Sequence, residues 1–457
     1  MTDAIHGAKA PAASARSGPV SSLYRAVWRW HFYAGLLILP FLITLSITGA
    51  IYLFREEVDQ LVHADFMTVT PVTEQRLAPS EIIAAALAAE PGRAVKYTDP
   101  ATDTRSAEVT VQPETGGRMA VYVNPYSGKV LEVRGDRSTF AWTVRYLHSF
   151  RYFGATPRKV IEIVGGWSIL MVLTGIYLWW PRGQGGGVIT VRGKPGRRVF
   201  WRDLHAVGGI VVGGFLVFLA ITGMPWSSVW GAKVNQWANG NNFGYPSGVR
   251  VDVPMSGTRL DDVAKTAWSL EQARIPETAP PAAGMTPLGL DAAVAEFDRL
   301  GLHRGYTVAL PSGPTGVYSG SVYPDDLSQQ RVVHLDQYTG KPLIDMGYAD
   351  YGPLGRWLEF GINTHMGQTF GVLNQIVLVL VCAGIVALSV SAAVMWWKRR
   401  PSGSLGVPPL PSDKKVFVGL FVLLGIGGIL FPLTGMSLVA MLVLDLAWQR
   451  FRAAHAT

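Results

Sequence analysis

The stretch W-R-W-H-F-Y-A-G at residues 28–35 runs into an apolar segment ending I-T-G at 47–49, and it returns as W-R-D-L-H-A-V-G-G at 201–209, again running into I-T-G at 221–223. From histidine to closing glycine the spacing is 18 residues in both copies, His31 to Gly49 and His205 to Gly223. A second pair follows the same rule. L-H-S-F-R-Y-F-G from Leu147 leads to W-W-P-R, and T-H-M-G-Q-T-F-G from Thr364 leads to W-W-K-R-R-P. Counting from His148 and from His365, the F-G dipeptide falls at plus five and plus six, and the first tryptophan of the pair at plus 31. Matching at so many fixed offsets marks an internal duplication, so the fold is two copies of one helix, outer domain, helix unit.

Composition says where those helices sit. The 457 residues are 49% hydrophobic and only 16% charged, and the apolar residues are gathered into runs of roughly 20, the length that crosses a hydrocarbon layer of about 30 Å. Four such runs are clear, at 32–54, 159–180, 204–225 and 373–397. The C-terminal run, 416–448, is longer than one span needs and is interrupted by Pro432 and Gly435, which predicts a hairpin of two short spans and six spans in all.

The net charge is +8. Its excess Lys and Arg flank the apolar runs, before the first, within 181–202, within 398–415, and at Arg450 and Arg452. Those four places share one side of the membrane only if the last run is a hairpin. The pattern therefore reads as a topology signal in a lipid bilayer, not a nucleic-acid surface, and it predicts a multi-pass inner-membrane protein with both termini cytoplasmic. Residues 1–24 read as a disordered cytoplasmic tail. The run after it is too long for a signal-peptide core and is expected to stay as an anchor. Cys382 is the only cysteine, so there is no disulfide, thiolate cluster or C-x-x-C-H site.

Residues 56–157 and 227–370 then lie outside the cytoplasm. Each reads as an α+β unit, with a helix at 80–90 or 290–300 followed by strands at 107–112 and 118–123, or at 305–310, 316–322 and 331–336. Each ends in a shared tetrapeptide, Y-S-G-K at 126–129 and Y-T-G-K at 338–341, whose glycine predicts a positive-φ turn. Residues 227–285 match nothing in the first half and read as an added loop layer.

Of nine histidines, four stand at the duplicated positions. His31 and His205 begin outward-running helices near the cytoplasmic face, whereas His148 and His365 precede the returning helices near the outer face. A pseudo-two-fold axis along the membrane normal sets His31 opposite His205 and His148 opposite His365. Two neutral imidazoles suit a six-coordinate b-type haem held without covalent bonds, which predicts two haems. Gly35 and Gly209, four residues after their histidines, predict clearance for a flat macrocycle. Arg29 and Arg202 at the inner pair, and Arg145 and Arg151 at the outer, are placed to meet propionates. His63, His303 and His334 read as surface residues. No H-E-x-x-H helix points to a zinc hydrolase.

Taken together, W-x-x-H with I-T-G, H-x(4)-F-G leading to W-W-[PK]-R, and outer units closing on Y-[ST]-G-K resemble the PepSY-associated transmembrane family over about Tyr24 to Pro401. These are iron-regulated inner-membrane proteins that include FoxB-like ferric-siderophore reductases. The resemblance implies b-type haems on His31, His148, His205 and His365, and reduction of ferric siderophore on the periplasmic side to release Fe(II) for uptake. No nucleotide-binding fold is present in the sequence, so electrons are expected from a separate donor, a membrane quinol or a cytoplasmic flavoprotein. Two rival readings are a non-redox PepSY unit that binds or regulates a partner, and a small-molecule or siderophore transporter. The first leaves the four matched histidines without a purpose, and the second lacks midplane charges.

Overall fold

The computed structural model describes residues 22–454 apart from 73–74, 182–185, 242, 245–254, 264–265, 282–283, 403–404 and 409–413. The expected tail at 1–24 lies almost wholly outside the described residues, as do His6 and His455.

In chain order the helices are α1 (Ser22–Tyr52), α2 (Arg55–Val62), α3 (Ala64–Met67), α4 (Pro79–Ala89), α5 (Phe140–His148), α6 (Ala155–Trp179), α7 (Arg198–Gly223), α8 (Trp230–Gly240), α9 (Leu260–Val263), α10 (Leu290–Arg299), α11 (Pro353–His365), α12 (Gly371–Arg399), α13 (Lys414–Leu430) and α14 (Pro432–Ala454). The strands are β1 (Arg93–Thr98), β2 (Ala107–Gln112), β3 (Met119–Val123), β4 (Val130–Gly135), β5 (Met255–Arg259), β6 (Arg274–Pro276), β7 (Thr307–Ala309), β8 (Val317–Val322), β9 (Arg331–Asp336) and β10 (Pro342–Gly347).

Among the described residues four helices are long and apolar enough to cross a membrane: α1, α6, α7 with its 3-10 extension to Trp226, and α12. They form a ring in which α1 packs on α6 and α12, and α7 packs on the same two, so that α1 and α7 stand on one diagonal. The hairpin α13–α14 packs on α1 and α6, on one side of the ring only. Its two helices turn about Gly428 and Gly435, whose backbones touch. The apolar part of α14, Pro432–Trp448, is shorter than any of the four ring helices, and α13 has 17 residues.

Above the bundle, the two outer segments do not make two separate sheets. They make one sheet of eight antiparallel strands in the order β10-β9-β8-β7-β1-β2-β3-β4. Its centre is the β1–β7 pair, with Tyr97 opposite Val308 and Thr98 opposite Thr307. Alternation assigns the faces. Val109, Val111, Val121 and Val123 join Tyr97, Val308, Val333 and Leu335 in one core beneath α4 and α10, which come from different halves. On the other face Ala120 and Tyr122 pack on Phe66 of α3. The helix and strand stretches read from sequence are all present, and β1, β4 and β10 are added to them. Both Y-[ST]-G-K turns have φ of +70° at glycine, Gly128 and Gly340. They are closed by Asn124 and Asp336, whose side-chain oxygens accept from the backbone N–H of the next residues but one.

The unmatched segment after residue 226 contributes α8, α9 and the β5–β6 ribbon. Two buried carboxylates from the helical frame anchor it. Glu162 of α6 accepts from Val229 and Trp230 N–H at 3.1 and 3.0 Å, at the start of α8. Glu359 of α11 accepts from Trp268 N–H at 2.7 Å. Acidic groups on free N–H donors are a favourable use of a buried charge.

Candidate functional site

The diagonal of the ring is what brings the inner histidines together. His31 on α1 and His205 on α7 face each other with ring centroids 6.4 Å apart and planes at 85°. Each is held from behind by the returning helix of its own half. His31 Nδ1 lies 2.9 Å from Thr174 Oγ1 on α6, and His205 Nδ1 lies 3.1 Å from the Leu388 carbonyl and 3.3 Å from Ser391 Oγ on α12.

The outer pair is built the other way round. His148 and His365 are the last residues of α5 and α11, short helices that lie against α1 and α7. Their Nδ1 atoms lie 3.0 Å from Thr48 Oγ1 and 2.9 Å from Thr222 Oγ1. Each of those threonines belongs to an I-T-G tripeptide, and the glycine beside it gives the ring its seat. A Cβ at Gly49 would stand 3.2 Å from His148 Cε1, and one at Gly223 would stand 3.5 Å from His365 Cε1. At the inner pair Gly175 does the same for His31. His148 and His365 thus take equivalent places in the two halves, each at the end of a short helix and each against the threonine of an I-T-G tripeptide. Of the four sequence-predicted histidines, His31 and His205 meet across the halves, and His148 and His365 hold matching positions in their own halves.

The donor set fits haem iron. His31 and His205, two neutral imidazoles whose ring centroids stand 6.4 Å apart, are the donor set that would hold a haem iron. A bare ion fits less well: among the described residues no group of three or more His, Cys, Asp or Glu side chains is placed to hold one.

The remaining expectations sort unevenly. Gly35 and Gly209 face neighbouring helices, their Cβ positions 3.4 Å from Met171 and 3.6 Å from Leu388. Arg29 is not turned to the inner pair. It makes a bidentate contact of 2.6 and 2.7 Å with Asp445 of α14, donates to the Pro408 carbonyl, and packs on Tyr33. The reason is helical: two residues before His31, it points away from the ring centre. Asp203 holds the matching place before His205 and is wholly buried between Arg192 and Arg202, which ties up Arg202. Arg145, stacked on Trp142 at 4.7 Å, and Arg151 stay by the outer pair, where with Arg158 they act on Glu271 of the added layer.

Of the three histidines expected at the surface, only His303 is exposed. His334 is buried in β9 with Nδ1 at 2.8 Å from Ser319 Oγ, and burial pushes its imidazole down to about 4. His63 Nε2 accepts from Phe140 N–H at the start of α5. A cavity of about 370 Å³ opens at the seam of the two halves, lined by Arg76, Tyr97, Asp99, Asp298 and Arg304 among others, and none of the four histidines reaches it.

A family model described as the PepSY-associated TM region matches residues 28–399. The chain belongs to the PepSY-associated transmembrane family. The match begins at Trp28 and ends at Arg399, so this family's region contains both histidine pairs and the whole outer sheet, while the α13–α14 hairpin stands outside it. No curated protein matches the chain. Four polar residues of the site escaped the sequence reading: Thr48, Thr174, Thr222 and Ser391. The signal was present, because Thr48 and Thr222 are the centres of the repeated I-T-G, and Thr174 and Ser391 both stand five residues before the first tryptophan of their pair.

Proposed function

We propose that this protein is a di-haem b-type oxidoreductase of the bacterial inner membrane that carries electrons outward to reduce a periplasmic ferric siderophore. The facing His31 and His205 carry the reading, and the matching placement of His148 and His365 supports it. His31 with His205, and His148 with His365, would each hold one haem. When bound, haem supplies one-electron redox chemistry at a potential set by its ligands and surroundings. The chain's own part is to orient four imidazoles, to keep water from them with apolar helices, and to space the two sites across the membrane.

Six spans with both termini cytoplasmic complete the proposal. The Arg29–Asp445 pair supports it, since it ties the last turns of α14 to the first turns of α1 on one face. Electrons would come from a quinol or a cytoplasmic flavoprotein, and one-electron reduction of the Fe(III) chelate outside would release Fe(II).

Absorption spectra of protein purified from haem-supplied cells test this. A Soret band shifting on dithionite is expected, with about half the haem lost in His31→Ala and in His148→Ala. No haem, or full haem in both variants, refutes the ligand assignment. Reduced protein that does not reoxidise on adding ferric siderophores refutes the substrate alone.

A further inference from the structure

We infer that Thr48, Thr174, Thr222 and Ser391 are positioning residues that fix each site histidine as the Nδ1–H tautomer and so leave the Nε2 lone pair free for ligation. The inference rests on the haem reading for its purpose, but its geometry stands on proton accounting. A hydroxyl has one hydrogen. Thr48 gives its hydrogen to the Thr44 carbonyl at 2.7 Å, Thr174 to Leu170 at 2.8 Å, Thr222 to Phe218 at 2.7 Å and Ser391 to Leu388 at 2.7 Å. Toward the imidazole each oxygen can then only accept, so the ring nitrogen facing it must carry the proton. His205 is fixed twice over, because its Nδ1 also faces the Leu388 carbonyl, which has no hydrogen to give. A neutral imidazole has one N–H, and with that at Nδ1 the lone pair is at Nε2.

Register makes chance a poor account. Thr48 and Thr222 both stand 17 residues after the inner histidine of their half, and Thr174 and Ser391 both stand five before their tryptophan. In each half the outward helix holds the outer histidine and the returning helix holds the inner one. Hydroxyl contacts therefore stay within a half, while His31 and His205 meet across halves. Back-bonding of Ser and Thr to a preceding carbonyl is common in membrane helices and could serve the helix alone. That reading predicts no effect on the histidines.

Thr174→Val and Thr48→Val remove the acceptor and keep the shape. Redox-titrated spectra should show a raised midpoint potential at the inner site for Thr174→Val and at the outer site for Thr48→Val, the other site serving as control. Haem should transfer to an apo-globin acceptor with roughly 10–100-fold weaker retention, and Thr174→Ser should restore both properties. Independently of haem, nitrogen-15 spectra of labelled histidine in the apo protein should show Nδ1–H rings at these sites, with His31 released to a mixture in Thr174→Val. Unchanged potentials and retention in both valine variants, or Nε2–H rings in the wild type, overturn the inference. Absence of haem from the wild type defeats the cofactor reading and leaves the tautomer measurement to decide this one.

Discussion

Glu271 sits in the added layer among Arg158, Arg151 and Arg145, beside Asp261, and burial outweighs those cations to push its carboxyl up from 4.5 to about 7. A raised carboxyl binds its proton more tightly folded than unfolded. The stabilising effect is therefore complete below pH 4.5 and is lost as pH rises through about 7. The shift bounds the loss at about 3 kcal/mol. Glu271→Gln should flatten the dependence of thermal unfolding on pH between about 4.5 and 7 and raise stability above pH 7. A variant as pH-dependent as the wild type in that window would exclude Glu271 as its source. At this scale the four histidines were legible because the duplication repeats them. The destiny of Arg29 was not, since its partner Asp445 lies 416 residues away, beyond any local pattern.

That ion pair decides how the C-terminal hairpin is held. Both side chains are 8% exposed, and Tyr33 donates to the same carboxylate at 2.6 Å. Further along, Trp167 Nε1 donates to Ser437 at 2.9 Å, and Gly166 admits Thr434 so closely that a side chain there would collide with it. Breaking one partner of a buried pair leaves the other charge uncompensated, at a cost of about 3–5 kcal/mol. Asp445→Asn should therefore loosen α14 from α1, seen as faster proteolysis in the 400–413 connection and a lower unfolding temperature, with the outer sheet unaffected. Equal protease resistance would mean that Trp167 and Gly166 hold the hairpin without the ion pair. Ring helices were legible from apolar length, and β2 and β9 from alternation. The missed strands had weaker signals. Every residue of β4 is only half-buried, so no alternation appears, and β1 reads R-A-V-K-Y-T with a single fully buried position.

Across the whole molecule, the duplication predicted two like units but not how they meet. Separate outer domains would each leave β1 or β7 as an open edge, a template for unwanted pairing. Here each edge is the other's partner, and the shared core beneath α4 and α10 makes the two outer segments one body. The bundle below repeats the plan, since His31 and His205 meet across the halves as the strands do. Thr98 and Thr307 lie opposite each other in β1 and β7 with their hydroxyls 3.3 Å apart. The double variant Thr98→Cys/Thr307→Cys should form a disulfide on mild oxidation, because Cβ atoms of directly opposed strand residues stand about 4.5–5.5 Å apart, close to the reach of the bond. Cys382, the one native thiol, is buried in α12 and should not compete. Proteolysis within 182–202 would then give two fragments that migrate together until reduced. Fragments that separate without reductant would mean that the halves do not share a sheet, and the cross-half pairing of the histidines would lose the rigid frame that sets it.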